Sequence, residues 1–372
     1  MPPGGPPDAA APQIIGIVPD SGRTGVKPKE VLFKFDEVVS ERPSGATTLG
    51  DLFLISPRDG VPDASWHRDA IGVKPPHGWR PNTPYTVIML RGLSDIRGNV
   101  RNTGASTFFS TGTNLPRTRI TGAVFDWVSG AVGAGSLVEA FVPPDSLHPY
   151  VALVDSTGVF AIEHVPPARY VLRAYVDRNK NLGIDPNEPW DSTSIVLADS
   201  VRSTLLVFVH DTVAPVIRDV RGIDSVSLQI AFDKPVDPAQ TLGPPNFAVV
   251  APDSTVVPVS AVRAATADTT ARVKAPAVVR PPSSPARQVR PRPDTTAPAP
   301  RPVMPRPSPV SEFVITLQRP LTPKVTYRVS AIGVRGLLGR TGNSERNFTP
   351  PAPPPPDTTR RRTSSSTPSR VR

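Results

Sequence analysis

The chain contains no cysteine. Disulfides, thiolate nucleophiles and cysteine-ligated zinc or iron–sulfur centres are therefore excluded. No uninterrupted apolar run reaches the roughly 18 residues that a membrane-spanning helix needs. Aromatic residues are only 6% of the 372 residues, so any stacking platform has few rings to draw on. No stretch joins an N-cap to a 3.6-residue apolar period of useful length, which argues against long helices. The opening Met1–Pro12 has neither a basic region nor an apolar core, so no signal peptide is expected within it. Charge is also missing from most of the chain. The formal net charge is +10, but residues 264–311 carry +6 of it and residues 351–372 the other +4, leaving the remainder neutral.

Proline and glycine, by contrast, are plentiful, at 50 and 26 residues. With 38% apolar residues still available for cores, this excess belongs to turns, strand edges and linkers. The two basic segments are also the most proline-rich, with 12 prolines in 264–311. Such a composition predicts an extended or disordered excursion. Its basic charge could hold anionic polymers only non-specifically, and no specific nucleic-acid partner is expected.

A repeated strand pattern organises the rest. Val31–Phe35 is followed by Asp36, and Leu228–Phe232 by Asp233. Each copy later shows a Thr/Tyr strand (Thr83–Tyr85, Thr326–Tyr327), a turn ending in Gly-Asn (Gly98–Asn99, Gly342–Asn343) and a closing strand (Thr107–Ser110, Asn347–Thr349). Alternation of period two at Phe33/Phe35 and at Tyr85/Val87/Met89 marks half-buried strands, with breakers at the spacing of a sandwich. The predicted architecture is all-β: three β-sandwich modules in series. Module one spans 13–113 after a disordered linker at 1–12. Module two spans 117–211. Module three spans 212–350, interrupted by the disordered insert 264–311, and a disordered basic tail occupies 351–372. In module two the expected strands are Ile120–Phe125, Leu137–Val142, Tyr150–Val154, Val159–Ile162, Tyr170–Val176 and Leu205–His210, with a hairpin turn at Asp155–Gly158. In module three, Glu312–Leu317 should resume the sheet after the insert.

These residues resemble known families. Pro19–Gly22, Phe33–Val38, Pro81–Val87, Asp95–Asn99 and Phe109–Gly112 resemble the SbsA-type bacterial Ig-like domain, and module three resembles it more loosely through Ala231–Pro235 and Lys324–Tyr327. In module two, Gly122-x-Val124, Asp155–Phe160 and Val165–Tyr170 resemble the carboxypeptidase-regulatory-like and transthyretin-like sandwiches, with Ala168 where that family usually has glycine. The opening PPGGPPD is similar to the segment that follows the lipidated cysteine of envelope lipoproteins. These resemblances imply an Ig-like, transthyretin-like, Ig-like order, a non-enzymatic scaffold or adhesive spacer in the bacterial cell envelope, and a lipid anchor carried by a longer precursor. The envelope protein or polysaccharide it would meet is not implied.

One loop carries candidate chemistry. Asp177, Asn179, Asn181, Asp185 and Glu188 place side-chain oxygens at positions 1, 3, 5, 9 and 12, and Gly183 offers its carbonyl at position 7. Calcium takes six to eight such oxygens, so this spacing predicts a Ca2+ loop. Leu182 occupies the position where the EF-hand pattern has glycine. The other reading is an Asn/Asp-rich loop that caps its own backbone, and both remain open. The five histidines show no pair at metal spacing in the sequence and are expected in structural or surface roles. Tyr85 and Tyr327 fit tyrosine corners. Exposure of Trp127 and Trp190 on one face would instead favour carbohydrate binding, and burial of both would remove that motive.

Overall fold

The computed structural model describes residues 9–43, 46–179, 183–265 and 302–352. The termini 1–8 and 353–372, most of the insert and Asn181 of the candidate loop lie outside the described residues. Among those described, strands dominate, joined by two short 3-10 turns at Gly50–Leu52 and Pro244–Asn246. The all-β sandwich prediction is borne out.

Module one holds β1 (Ile14–Val18), β2 (Val31–Phe35), β3 (Phe53–Ser56), β4 (Asp63–Trp66), β5 (Ala70–Lys74), β6 (Pro84–Met89) and β7 (Ala105–Ser110). One sheet runs β1-β2-β5-β4 and the other β3-β6-β7. The alternation read in the sequence is what fills the space between them. Phe33 and Phe35 on β2, Ile71 and Val73 on β5, and Tyr85, Val87 and Met89 on β6 are all buried in one cluster. Burying a side chain of this size contributes about 1.5–3 kcal/mol, the main return against the entropy of ordering the chain.

Module two holds β8 (Arg119–Asp126), β9 (Leu137–Phe141), β10 (Tyr150–Leu153), β11 (Val159–Glu163), β12 (Ala168–Tyr175), β13 (Pro189–Leu197) and β14 (Ser200–Val209). Its strands follow the order β10-β9-β12-β13-β14-β8-β11. The link between β13 and β14 is only the register pair Pro189↔Val209 and Trp190↔Phe208, so the sheet folds over at that corner. β14 runs parallel to β8. Gly122 lies where they meet: an added Cβ would stand 1.8 Å from the Ser203 carbonyl oxygen and 2.8 Å from the Phe160 ring, so no side chain fits there. Strand β13 escaped the sequence reading, and β14 begins five residues earlier than expected.

Module three holds β15 (Ile217–Gly222), β16 (Ser227–Val236), β17 (Phe247–Val250), β18 (Val256–Val257), β19 (Val259–Ala264), β20 (Val310–Leu317), β21 (Tyr327–Arg335) and β22 (Thr341–Phe348). Its sheets run β15-β16-β20-β19 and β18-β17-β21-β22. Two expectations need correction. Ala264, Val310 and Ser311 are strand residues, so the insert is shorter at both ends than 264–311. Gly342–Asn343 does not end a turn but lies inside β22, and the chain reverses earlier, with the Gly339 N–H donating to the Gly336 carbonyl at 2.9 Å.

Modules one and two, with residues 302–308, gather into one compact unit, and module three forms a second.

Candidate functional site

The most heavily built polar feature lies where modules one and two meet. Glu139 occurs in the otherwise apolar β9 sequence Leu-Val-Glu-Ala-Phe and is 0% exposed. A buried carboxylate is costly unless paired and hydrogen-bonded. Antiparallel register puts Arg173 of β12 directly opposite it, and the Arg173 Nε donates to Glu139 Oε2 at 3.2 Å. From module one, Arg58 in the loop after β3 reaches Glu139 Oε1 at 2.7 Å. The Tyr175 hydroxyl donates to the same oxygen at 2.8 Å and accepts from Arg58 Nη1 at 3.0 Å. Burial first, and the Glu139 carboxylate second, push the Tyr175 phenol above its ordinary value. Arg173 also lies over the Phe141 ring, 5.1 Å from its centroid, where the ring quadrupole favours the cation.

Two bonds from backbone amides complete the joint: Val151 N–H donates to the Ser56 side-chain Oγ at 2.9 Å, and Arg58 N–H donates to the Pro149 carbonyl at 2.8 Å. An apolar patch seals it, formed by Leu54 of module one and Leu137, Val151 and Tyr175 of module two. Ile88, Ile184 and Trp190 pack on its rim. A second contact stacks Phe108 of β7 on His164, with centroids 4.2 Å apart. Only one clue to this joint is legible in the sequence, a charged residue inside an apolar strand that must find a partner somewhere.

Ile184 ties the candidate loop to this joint. Within the loop, Glu188 is 4% exposed. Its Oε1 accepts the Arg178 N–H at 2.7 Å and its Oε2 the Asp185 N–H at 3.1 Å. The Glu188 N–H donates to the Asp185 carbonyl at 3.0 Å, and Asn179 Nδ2 donates to Asp185 Oδ2. Glu188 therefore acts as a cap that closes the loop on itself. Asp177, Asn179, Gly183, Asp185 and Glu188 share one segment, while Asn181 is outside the described residues. Among the described residues, no group of three or more His, Cys, Asp or Glu is arranged to hold a metal ion.

The histidines are less scattered in space than in sequence. His77 Nδ1 lies 3.0 Å from Asp59 Oδ1, and His148 of module two lies 3.7 Å from the same oxygen and 3.3 Å from Asp145. Asp59 and Asp145 thus link the two imidazoles in a chain of side-chain contacts beside the joint. Both tyrosine corners are present: the Tyr85 hydroxyl accepts the Arg80 N–H at 2.7 Å, and the Tyr327 hydroxyl accepts the Thr322 N–H at 2.9 Å. Trp127 is buried, and the half-buried Trp190 is stacked on His210 at 3.8 Å. The two rings do not form an open sugar-stacking face.

Paired sheets, tyrosine corners and a buried ionic joint define a chain of β-sandwich modules. Residues 8–111 match the family model described as a bacterial Ig-like domain (Big_5), so module one is similar to that family. Among solved structures, the chain is similar to the N-terminal part of the bacterial S-layer protein SbsC, at 20% identity over 38% of this chain and 25% of that one, with a TM-score of 0.23. SbsC domains 1–6 align at 9% identity over 93% of this chain and 55% of that one, with a TM-score of 0.21. BcpA, the major pilin subunit of Bacillus cereus, aligns at 7% identity over 50% and 67%, with a TM-score of 0.19. The chain thus spans about a quarter to a half of the SbsC structures. Superpositions this loose carry no functional argument. Comparison with curated proteins returned no match.

Proposed function

We propose that this chain is a non-enzymatic structural or adhesive spacer of the bacterial cell envelope, placed outside the cytoplasm. The observation that carries this reading is the joint: Glu139, fully buried and held by Arg58 of one module and Arg173 and Tyr175 of the next. Removing one partner of such a buried pair costs about 3–5 kcal/mol, because an uncompensated charge remains. Two modules fixed this way behave as one body rather than as beads on a string, which suits a protein that spaces or holds. The bacterial Ig-like match over module one supports the same reading. No helix of the described residues is long and apolar enough to cross a membrane. Attachment is proposed to run through a lipid anchor on a longer precursor or through an envelope protein or polysaccharide.

Finer assignments belong to the same proposal. Modules one and three are read as SbsA-type, on the motifs they share. Module two is read as carboxypeptidase-regulatory-like, supported by its Asp155–Gly158 hairpin and the parallel β8/β14 pairing. Calcium is proposed to bind the loop of Asp177, Asn179, Asn181, Gly183, Asp185 and Glu188, supported by the oxygen spacing alone. To bind it, Glu188 would exchange its two backbone amides for the ion.

Fractionation of cells expressing the tagged gene from its natural start tests the location: the protein should be found with the envelope and be cleaved by protease added outside the cytoplasm. Recovery in the cytosol would end the proposal. For calcium, a ligand that binds only the folded state raises its melting temperature once its concentration exceeds Kd. Millimolar calcium should raise the melting temperature of the full chain, and Asp177→Ala should abolish the rise. No shift in the unmodified chain would leave the loop a self-capped turn.

A further inference from the structure

Trp127 follows β8 and is 8% exposed. Its ring meets Phe208 edge-on at 5.3 Å, Phe208 stacks on His210 at 4.3 Å, and His210 stacks on Trp190 at 3.8 Å. The indole has a single donor, and burying it without a partner would be unfavourable. That partner does not come from residues 117–211. Trp127 Nε1 donates to the carbonyl of Pro307 at 3.0 Å, 180 residues along the chain. Beside it, the Asp126–Gly130 turn is fixed by Ser129 N–H donating to Asp126 Oδ1 at 2.8 Å and Gly130 N–H donating to the Asp126 carbonyl at 2.9 Å. Gly130 has φ +71°, and a Cβ there would stand 3.4 Å from Ser308 Oγ and 4.0 Å from Met304 Cε. The segment 302–308 therefore passes over the bare backbone of this turn as well as bonding the indole.

The segment reads Pro-Val-Met-Pro-Arg-Pro-Ser and belongs to no strand. Its prolines fix φ and carry no N–H, so their carbonyls stay open as acceptors and little entropy is lost on docking. Aromatic-lined grooves recognise proline-rich strands on this basis. We propose that Trp127 and the Asp126–Gly130 turn form a docking site for a proline-rich strand, and that its occupant is this chain's own segment 302–308. The end of the insert is then a strap held on module two and not a free spacer.

The four tryptophans supply the test, because indole N–H signals of the full-length 15N-labelled chain report each ring separately. Residues 302–308 are replaced by a Gly-Ser stretch of equal length. The Trp127 signal should shift and exchange with solvent at least tenfold faster. Trp66, which donates to the Val39 carbonyl at 2.9 Å inside module one, should not move and serves as the control for folding. A synthetic peptide of residues 302–309, added to the replaced chain, should restore the Trp127 signal saturably. A Trp127 signal indifferent to the replacement, or a peptide that fails to restore it, overturns the site.

Discussion

Modules one and three are the same sandwich built twice, and they differ where the chain turns rather than where it packs. The sheet β1-β2-β5-β4 corresponds strand for strand to β15-β16-β20-β19, and β3-β6-β7 to β17-β21-β22. Both first strands bulge, between Ile14 and Gly16 and between Ile217 and Asp219. The aspartate that follows Phe35 in β2's copy of the pattern and Phe232 in β16's does the same work in each. Asp36 Oδ1 accepts the Gln13 N–H at 2.8 Å, and Asp233 Oδ1 accepts the Val216 N–H at 2.8 Å. Apart from the short extra strand β18, the difference lies between the fourth and fifth strands of the shared pattern, where module one turns in His67–Asp69 and module three departs through residues 265–309. A sheet registers its two strands by their faces, so the length of the connection is nearly immaterial to the fold.

Cutting the shared core should break the likeness most severely. Phe33→Ala and Phe232→Ala each remove a fully buried ring, and each should destabilise its own module by about 3–5 kcal/mol. In urea unfolding followed by hydrogen exchange, Phe232→Ala should leave the amides of modules one and two protected. Replacing 265–309 with the His67–Asp69 turn sequence should leave module three folded and, because closure entropy grows as the logarithm of length, more stable by about 2 kcal/mol. A module three that fails to fold would show that the insert is structural. Asp36→Ala and Asp233→Ala each strip a backbone N–H of its partner and should cost about 1 kcal/mol, equally in both modules.

The tyrosine corners give the most selective comparison. Tyr85→Phe and Tyr327→Phe should each cost about 1 kcal/mol at neutral pH. For Tyr85 a pH arm sharpens this. Burial pushes its phenol above the ordinary value, so the neutral form is favoured in the folded state. That stability is present below about pH 10, the ordinary phenol value, and is lost as pH rises through the raised one. Alkaline destabilisation of module one should therefore be weaker in Tyr85→Phe than in the unmodified chain, measured as the slope of stability against pH.

What the sequence revealed was periodic or local. Phe33/Phe35, the tyrosine corners and the Asp155–Gly158 turn announce themselves because alternation and turn chemistry depend on neighbours in the chain. β22 was only partly seen. Its residues Thr-Gly-Asn-Ser-Glu-Arg-Asn-Phe lie at a sheet edge and are mostly exposed, so no apolar face marks them and Gly342–Asn343 reads as a turn. β13 was missed because its middle, Asp-Ser-Thr-Ser, is largely solvated. The joint was hidden for a different reason. Arg58 and Glu139 are far apart in sequence, and only the folded register brings Arg173 to the other side of the carboxylate. The spacing of the loop 177–188 was legible, but not that Glu188 would spend both oxygens on backbone amides or that Ile184 would pack on the joint.

Rigidity between modules one and two is the claim on which the spacer reading stands, and the lack of native cysteine makes it directly measurable. Cysteines placed at Ile96 and Val196, 71% and 63% exposed, can carry spin labels without competition from other thiols. Pulsed dipolar spectroscopy should return one narrow distance distribution in the otherwise unmodified chain, and a broad one when Glu139→Ala is added. A distribution already broad with Glu139 in place would contradict the account.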